Sequence, residues 1–272
     1  VLNLWTSVFG GSVVSARSLS IVFSVMAMIM LYVLCRDFFD ARTGLYASSF
    51  MAASELFIYY GQEIRPYSLF VLLSIASFYC YLRYRENTLS LWWYTAVNIL
   101  LCYTHLFAAF ALASQAIHYA VQAWLEGDED WRKHGWLGAS YLATLAAFTP
   151  WFPTLLEQAQ NQSLSWLPPV SLSLIISSYW SYVEWVGGVL ISLVAAITAY
   201  RWVSDGLVWD ESLGVLAAWI LIPFLSLVTV SLVLRPVFHQ RYLLFTIPAL
   251  YIVVAWLFRQ LPVRLGDIAA VG

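Results

Sequence analysis

The chain has 272 residues, of which 62% are hydrophobic and only 10% are charged, and its formal net charge is −2 at pH 7. A soluble domain usually carries about 25% charged residues, so this composition excludes an ordinary soluble enzyme and indicates an integral membrane protein. The small negative charge gives no electrostatic basis for binding nucleic acid. The 14 tryptophans and 17 tyrosines suit the aromatic bands that form where membrane proteins meet water.

Apolar runs separated by short polar turns predict an all-α polytopic membrane protein with about nine transmembrane helices. An amphipathic segment, Val1 to Ser12, precedes the first of them. The predicted spans are 13–35, 43–58, 67–84, 89–103, 106–125, 135–150, 186–200, 213–234 and 242–258. Between 154 and 185, amide side chains and Trp166-Leu167-Pro168-Pro169 predict an interfacial or re-entrant segment on the outer face. We interpret residues 1–272 as a single transmembrane domain that contains this segment.

The basic residues predict the orientation of the bundle. Most of them fall on turns at one side: Arg36, Arg42, Arg83, Arg85, Arg132, Lys133, Arg201, Arg259 and Arg264. The positive-inside rule places that side in the cytosol. The others, Arg17, Arg65, Arg235 and Arg241, then lie towards the exterior, where a basic residue more often has a function. Arg17 is explained equally well as a residue at the start of a helix.

One polar interruption, Tyr59-Tyr60-Gly61-Gln62-Glu63-Ile64-Arg65-Pro66-Tyr67, forms the turn between the second and third predicted spans. Pro66 suits the first position of the helix that follows. Glu63 and Arg65 would diverge on a continuous helix, but on an irregular turn both can face one cavity. A carboxylate and a guanidinium at the mouth of a membrane bundle suit a phosphate-bearing ligand. A solvated loop with one exposed ion pair is the alternative interpretation.

This nonapeptide resembles the "YY-[SG]-Q-E-x-R-x-Y" hairpin of prokaryotic membrane glycosyltransferases related to the dolichyl-phosphate-mannose protein mannosyltransferases, which have the GT-C fold. Further stretches resemble the same family in the same order along the chain. They are Ser15-Ala16-Arg17-Ser18-Leu19-Ser20, Leu101-Cys102-Tyr103-Thr104-His105, Thr149-Pro150-Trp151, and Gln240-Arg241-Tyr242-Leu243-Leu244 with Pro248. The resemblance therefore extends over nearly the whole chain.

The resemblance implies an inverting transfer of a sugar from a polyprenyl-phosphate-linked donor to a protein, lipid or glycan acceptor. The reaction is expected at the exterior or periplasmic face of a prokaryotic plasma membrane, among membrane lipids. In the family, a further span and an outer loop with the acidic catalytic base precede the position that matches Val1. We therefore expect that base upstream, and we expect the chain as given to be inactive alone. Glu63 matches the family's second acidic position, while Arg65, His105 and Arg241 match polar positions that line the outward cavity.

Such a reaction needs a base for the acceptor's proton and cations that stabilise the departing phosphate. We predict Glu63 as a catalytic residue, and we predict a set of substrate-binding residues: Arg65, Arg241, His105, Gln62, Tyr60, Tyr67 and Tyr242. No motif demands a cofactor, although Glu63 or His105 can hold a divalent metal. Structural roles remain open for all of them: an ion pair for Glu63, snorkelling for Arg241, a hydrogen-bonded turn for His105 and interfacial anchoring for the tyrosines.

Two other functions fit a polar site in a membrane bundle. A polar-lipid transporter or flippase also needs cations in an outward cavity, but it should show paired broken helices in matching halves. Pro223 and Pro248 have no counterpart in the first half of the chain, which favours the enzyme. A non-catalytic membrane subunit is the third interpretation. The first acidic residue of the given chain is Asp37, which lies on the predicted cytosolic side, so the expected outer catalytic acid is not among residues 1–36.

Overall fold

The computed structural model describes residues 1–86, 90–127, 129–161, 171, 173–177, 211–233 and 236–259, and the regular structure in these ranges is helical. The helices are α1 (Leu2–Phe9), α2 (Val13–Phe38), α3 (Ala41–Ala53), α4 (Glu55–Gly61), α5 (Tyr67–Arg85), α6 (Leu91–Thr104), α7 (Ala108–Glu126), α8 (Trp131–Phe148), α9 (Phe152–Asn161), α10 (Glu211–Val233) and α11 (Ile247–Arg259). Two 3₁₀ segments cover Thr149–Trp151 and Gln240–Thr246. The all-α prediction is confirmed.

Within the described ranges, four stretches are long and apolar enough to cross a membrane: Val13–Phe38, Tyr67–Arg85, Ser212–Val233 and Gln240–Arg259. The spans predicted at 89–103, 106–125 and 135–150 are present as the helices α6, α7 and α8. The predicted span 186–200 and most of the predicted interfacial segment 154–185 lie outside the described residues. The division of the chain into domains therefore stays a prediction.

The span predicted at 43–58 is not continuous, because it divides at Ser54 into α3 and the short α4. The backbone of Ser54 is extended (φ −68°, ψ 117°), and its side chain accepts a hydrogen bond from the Phe57 amide. A serine side chain that satisfies a free amide in this way begins a new helix. The break makes α4 a separate element that leads directly into the polar turn.

Charged side chains join the helices at one end of the bundle. Asp37, near the end of α2, accepts hydrogen bonds from Arg36 (2.8 Å) and from the Tyr79 hydroxyl (2.9 Å), and it also pairs with Arg83 on α5. Two further ion pairs lie at this end, Arg259–Asp40 at 2.9 Å and Arg85–Glu126 at 3.1 Å. Several basic residues that were predicted to share one side of the membrane therefore do share one end of the bundle.

Polar residues also bind the helices to one another inside the bundle. The Tyr94 hydroxyl on α6 donates to Gln115 Oε1 on α7 (2.5 Å), and Gln115 Nε2 donates to Ser77 Oγ on α5 (2.8 Å). Ser77 in turn donates to Asn98 Oδ1 on α6 (2.6 Å). Hydrogen bonds between membrane helices contribute about 0.6 kcal/mol each on average. This network therefore fixes the relative rotation of three helices without a large gain in stability.

The last described helix closes the bundle. α11 packs against α3 and α10, so it contacts a helix from the first quarter of the chain. On α10, the Trp219 ring stacks on Phe78 of α5 with 3.8 Å between ring centroids, and its indole N–H donates to the Phe245 carbonyl (2.9 Å). This bond ties α10 to the 3₁₀ segment before α11. The 3₁₀ segment is thereby held beside the start of α5.

Candidate functional site

The turn between α4 and α5 is held against the first half of α2 at two points. Ser20 Oγ donates a hydrogen bond to the Glu63 carbonyl at 2.7 Å. Gly61 lies so close to α2 that a Cβ at this position would come within 2.6 Å of Ser24 Oγ. The turn therefore depends on a glycine for close approach, and it has a defined position at the end of the bundle opposite the Asp37 ion pairs.

Glu63 and Arg65 face each other on this irregular turn. Arg65 Nε lies 3.9 Å from Glu63 Oε2, and the two side chains are 56% and 29% exposed. The distance is too long for a hydrogen bond, and exposed ion pairs contribute at most about 1 kcal/mol. A side-chain hydrogen bond to Tyr67 raises the pKa of Arg65, and the nearby Glu63 charge adds to this shift. Neither charge is strongly bound by the other, so both are accessible to a ligand.

Tyr60 and Tyr67 form the buried wall behind this pair. They are 7% and 5% exposed, and their rings meet edge to face with 5.3 Å between centroids. The side chains of Tyr60 and Gln240 share a hydrogen bond, which joins the turn to the 3₁₀ segment. The tyrosines are therefore packed inside the protein, rather than exposed as simple interfacial anchors.

His105 lies between α6 and α7, behind the same wall. Its ring stacks on Phe70 (4.7 Å between centroids, 21° between planes) and lies 6.1 Å from Tyr67. Nδ1 accepts a hydrogen bond from the Phe107 amide at 3.2 Å, so a neutral ring carries its proton on Nε2. Burial, with the positive charge of Arg241, lowers the pKa of His105 to about 4. At neutral pH His105 can donate a hydrogen bond or ligate a metal, but it does not supply positive charge.

Arg241 approaches from the opposite side of the cluster, at the start of the 3₁₀ segment. His239 Nδ1 accepts a hydrogen bond from the Arg241 backbone amide (3.3 Å) and so caps this segment. The Arg241 guanidinium lies 5.4 Å from the centre of the Tyr242 ring, and that ring is 6.0 Å from His105. Burial and Arg241 also lower the pKa of His239 to about 4. Arg241 is thus the cationic group on this side, beside two neutral histidines.

These contacts bring most of the predicted site residues together. We call the following residues the polar cluster: Tyr60, Glu63, Arg65, Tyr67, His105, Arg241 and Tyr242. Gln62 lies on the same turn with an exposed side chain, and its predicted role stays a prediction. The sequence analysis did not select Gln240 or His239 for the site, although their position beside Arg241 was a signal for both.

A metal at this site is not supported by a ready-made ligand set. Among the described residues, no group of three or more His, Cys, Asp and Glu side chains is placed to hold an ion. A metal on Glu63 or His105 would need other ligands, such as backbone oxygens, water or the substrate. Whether Glu63 or His105 holds a metal is not tested by the structure, and the cluster is best described by its arginines, carboxylate and hydroxyls.

An apolar groove of about 690 Å³ lies on the same half of the bundle as the α6–α7 turn that carries His105. It lies between α6, α7 and α8, and Leu106, the neighbour of His105, is part of its wall. Phe148, Phe152 and Ala109 form other parts of the lining. The groove is apolar and long enough along the helices to receive a hydrocarbon chain, and none of the residues of the polar cluster lines it.

Residues 1–153, more than half of the chain, match the family model of the dolichyl-phosphate-mannose-protein mannosyltransferases. The chain belongs to this family. The match includes Glu63, Arg65 and His105, whereas Arg241 and Tyr242 lie beyond it. The membership confirms the resemblance that the hairpin motif indicated.

The fold of this mannosyltransferase-family chain is also that of a solved structure. The crystal structure of ArnT from Cupriavidus metallidurans in the apo state matches 98% of the chain with a TM-score of 0.68 and 14% sequence identity. At this identity the match shows the fold alone, which is the GT-C fold of polytopic membrane proteins. The chain spans about half of that protein, 49% of its length. No curated protein matches the chain.

The lowered histidine pKa values lead to a prediction for stability. The folded-state pKa of His105 is about 4, below its ordinary value of 6.5, so the unfolded chain takes up the proton first as the pH falls. The neutral, buried His105 therefore contributes fully to the free energy of unfolding above pH 6.5. As the pH falls from 6.5 to about 4, this free energy decreases by at most about 3 kcal/mol. We expect His105→Asn, which can still accept from the Phe107 amide, to show a smaller acid-induced fall in the thermal unfolding midpoint. An identical fall in the wild type and the variant would contradict this assignment.

Proposed function

We propose that the protein is a membrane glycosyltransferase that moves a sugar from a polyprenyl-phosphate-linked donor to a protein, lipid or glycan acceptor. The observation that carries the proposal is the convergence of Arg65 and Arg241, from distant parts of the chain, on the tyrosines beside Glu63. The family membership supports sugar transfer, and the site chemistry supports a phosphate leaving group.

The two arginines supply what the departing phosphate needs. A guanidinium presents several N–H donors in a fixed plane and keeps its charge at any physiological pH. Donors placed where charge develops in the transition state contribute more to the rate than those that bind the ground state. Arg65 reaches the cluster from the turn and Arg241 from the 3₁₀ segment, and the neutral His105 offers a further donor, its Nε2–H. Loss of the phosphate in a single displacement inverts the configuration at the sugar carbon.

Glu63 is the carboxylate that serves the acceptor. Its side chain is 29% exposed. Among the described residues, the ion pair of Glu63 is the long one to Arg65, at 3.9 Å. Glu63 can therefore accept a hydrogen bond from the nucleophilic group of the acceptor and orient it towards the base that we expect upstream of Val1. The backbone of Glu63 is fixed to α2 by Ser20, so the carboxylate has a stable point of attachment.

The apolar groove provides a place for the polyprenyl chain of the carrier. Its lining is formed mainly by aliphatic and aromatic side chains, and it begins at Leu106, directly after His105. An isoprenoid tail in the groove would hold the linked phosphate near the two arginines. We assign this end of the bundle to the exterior face of a prokaryotic plasma membrane, because the basic residues concentrate at the opposite end.

The test measures free polyprenyl phosphate, because every donor of this class releases it, whichever sugar is transferred. The protein, expressed from its full reading frame in proteoliposomes, is incubated with polyprenyl-phosphate-linked sugars and cell-envelope extract, and free polyprenyl phosphate is measured. We expect release with at least one donor, dependent on the extract. If no donor is consumed but polyprenyl phosphate still raises the thermal unfolding midpoint, the protein is a carrier-binding subunit. If neither effect occurs, the proposed function is wrong.

A further inference from the structure

A second groove, of about 640 Å³, lies at the end of the bundle opposite the polar cluster. It runs between the beginnings of α6 and α8, with Leu91 and Trp92 on one wall and Trp136 on the other. A hydrogen bond of 2.7 Å between Thr95 Oγ1 and Ser140 Oγ joins the two helices at its floor. The polar atoms at the floor are therefore satisfied, and the space above them is available to an apolar group.

Three of the α8 residues that line the groove are small: Ala139, Ser140 and Ala143. Ala139 and Ala143 lie one helical turn apart along its wall, and short side chains at this spacing leave a continuous channel. Trp92 and Trp136 are 82% and 65% exposed at its sides. Exposed indoles are typical of the boundary between lipid tails and headgroups. This arrangement places the groove where a lipid tail meets its headgroup.

Two basic residues stand at the mouth of the groove. Arg132 and Lys133, in the first turn of α8, line it together with Asp130. Asp130 Oδ1 caps α8, because it accepts hydrogen bonds from the backbone amides of Arg132 (3.1 Å) and Lys133 (3.2 Å). Two cations against one carboxylate leave a net charge of +1 in the lining. Lys133 Nζ donates a hydrogen bond to the Arg85 carbonyl at 3.3 Å, which holds this cation at the mouth. Of the nearby acids, Glu126 is paired with Arg85 at 3.1 Å, and Glu129 is exposed and does not line the groove.

We propose that this groove binds one anionic phospholipid, with its phosphate at Arg132 and Lys133 and an acyl chain along the alanines of α8. Basic pockets between membrane helices near the cytoplasmic surface attract anionic lipids, at about 1 kcal/mol for each basic residue. A zwitterionic lipid fills the groove but gains less from the charged mouth. A free phosphate ion gains from the charges but leaves the apolar groove empty. The site is separate from the polar cluster and does not depend on the proposed sugar transfer.

The test measures bound lipid directly. The purified full chain in detergent is mixed with palmitoyl-oleoyl-phosphatidylglycerol or with the phosphatidylcholine of the same tails, and native mass spectrometry gives the lipid-bound fraction. We expect phosphatidylglycerol to bind more tightly than phosphatidylcholine, and R132Q/K133Q to weaken it by about 25-fold, or about fivefold per charge. Ala139→Phe fills the groove without changing its charge, and it should also abolish tight binding.

The control variant is Arg42→Gln, which removes an exposed cation of α3 outside the groove and should leave binding unchanged. Thermal unfolding without added lipid shows that each variant is folded. Equal binding of the two lipids overturns the proposal, as does unchanged binding in either R132Q/K133Q or Ala139→Phe. Displacement of phosphatidylglycerol by inorganic phosphate would identify a free-anion site and would also overturn it.

Discussion

Alanine in place of Arg65 is expected to lower the rate of polyprenyl phosphate release by on the order of 100-fold, with little change in the yield of folded protein. The guanidinium is more than half exposed, and its ion pair with Glu63 is long at 3.9 Å. Apart from the loss of its hydrogen bond to Tyr67, removal of the guanidinium therefore costs the fold little. The loss should appear mainly in the maximum rate, because a donor to the departing phosphate acts most strongly in the transition state.

Three further variants make this measurement specific. Arg65→Lys keeps the charge but not the planar set of donors, and it should recover only part of the rate. Glu63→Gln removes the carboxylate with almost no change in shape, and it should also reduce release far more than folded yield. Arg42→Ala, an exposed arginine at the other end of the bundle, should leave the rate unchanged. A parallel fall of rate and yield for Arg65→Ala and Glu63→Gln would show that the turn has only a structural role.

The largest expected effect on stability comes from Gly44→Ala, at the place where α3 touches α2. A Cβ on Gly44 would lie 2.9 Å from the Tyr32 carbonyl oxygen and 3.3 Å from Cys35 Cβ. Because the nearest atom belongs to the backbone, the two helices must move apart rather than one side chain rotate. Overpacking of this kind costs about 1–3 kcal/mol. We expect a clear fall in the free energy of unfolding, measured by denaturant titration in detergent.

The same substitution at Gly138 is the matched control. Gly138 also lies within a helix, α8, but no atom lies within 4 Å of the position of an added Cβ. Alanine there gains about 0.5–1 kcal/mol from the reduced entropy of the unfolded chain. Gly44→Ala and Gly138→Ala should therefore shift stability in opposite directions. If both variants are stabilised, α2 and α3 do not pack as closely as the structure shows.

The helical architecture was predictable because the length of each apolar run is set by the membrane and read directly from the sequence. The break at Ser54 was missed for a local reason, since one serine in an apolar run has no visible effect on hydropathy. Its role as a cap depends on the extended backbone at that residue. The hairpin turn was predictable because its polar residues interrupt an apolar run and are bracketed by Gly61 and Pro66. Such an interruption does not fit inside a membrane span.

The environment of the site residues was much less predictable. The neutral state of His105 depends on burial against Phe70 and on the charge of Arg241, a residue more than a hundred positions later in the chain. The hydrogen bond between Tyr60 and Gln240 likewise joins segments that have no local relation in sequence. The sequence motifs predicted which side chains lie together at this end of the bundle, whereas packing between distant helices decides their charge and their partners.

The contact of α11 with α3 has a consequence for biosynthesis. Tyr60 and Gln240 meet only after the intervening chain has left the ribosome, which takes on the order of ten seconds or more at roughly 5–20 residues per second. During that interval the face of α3 that later contacts α11 is open to lipid or to the insertion machinery. Arg241 and Tyr242 arrive together with the helix that closes this gap. A chain whose insertion stops before this helix therefore lacks Arg241 and Tyr242, so the polar cluster forms only once α11 has been inserted.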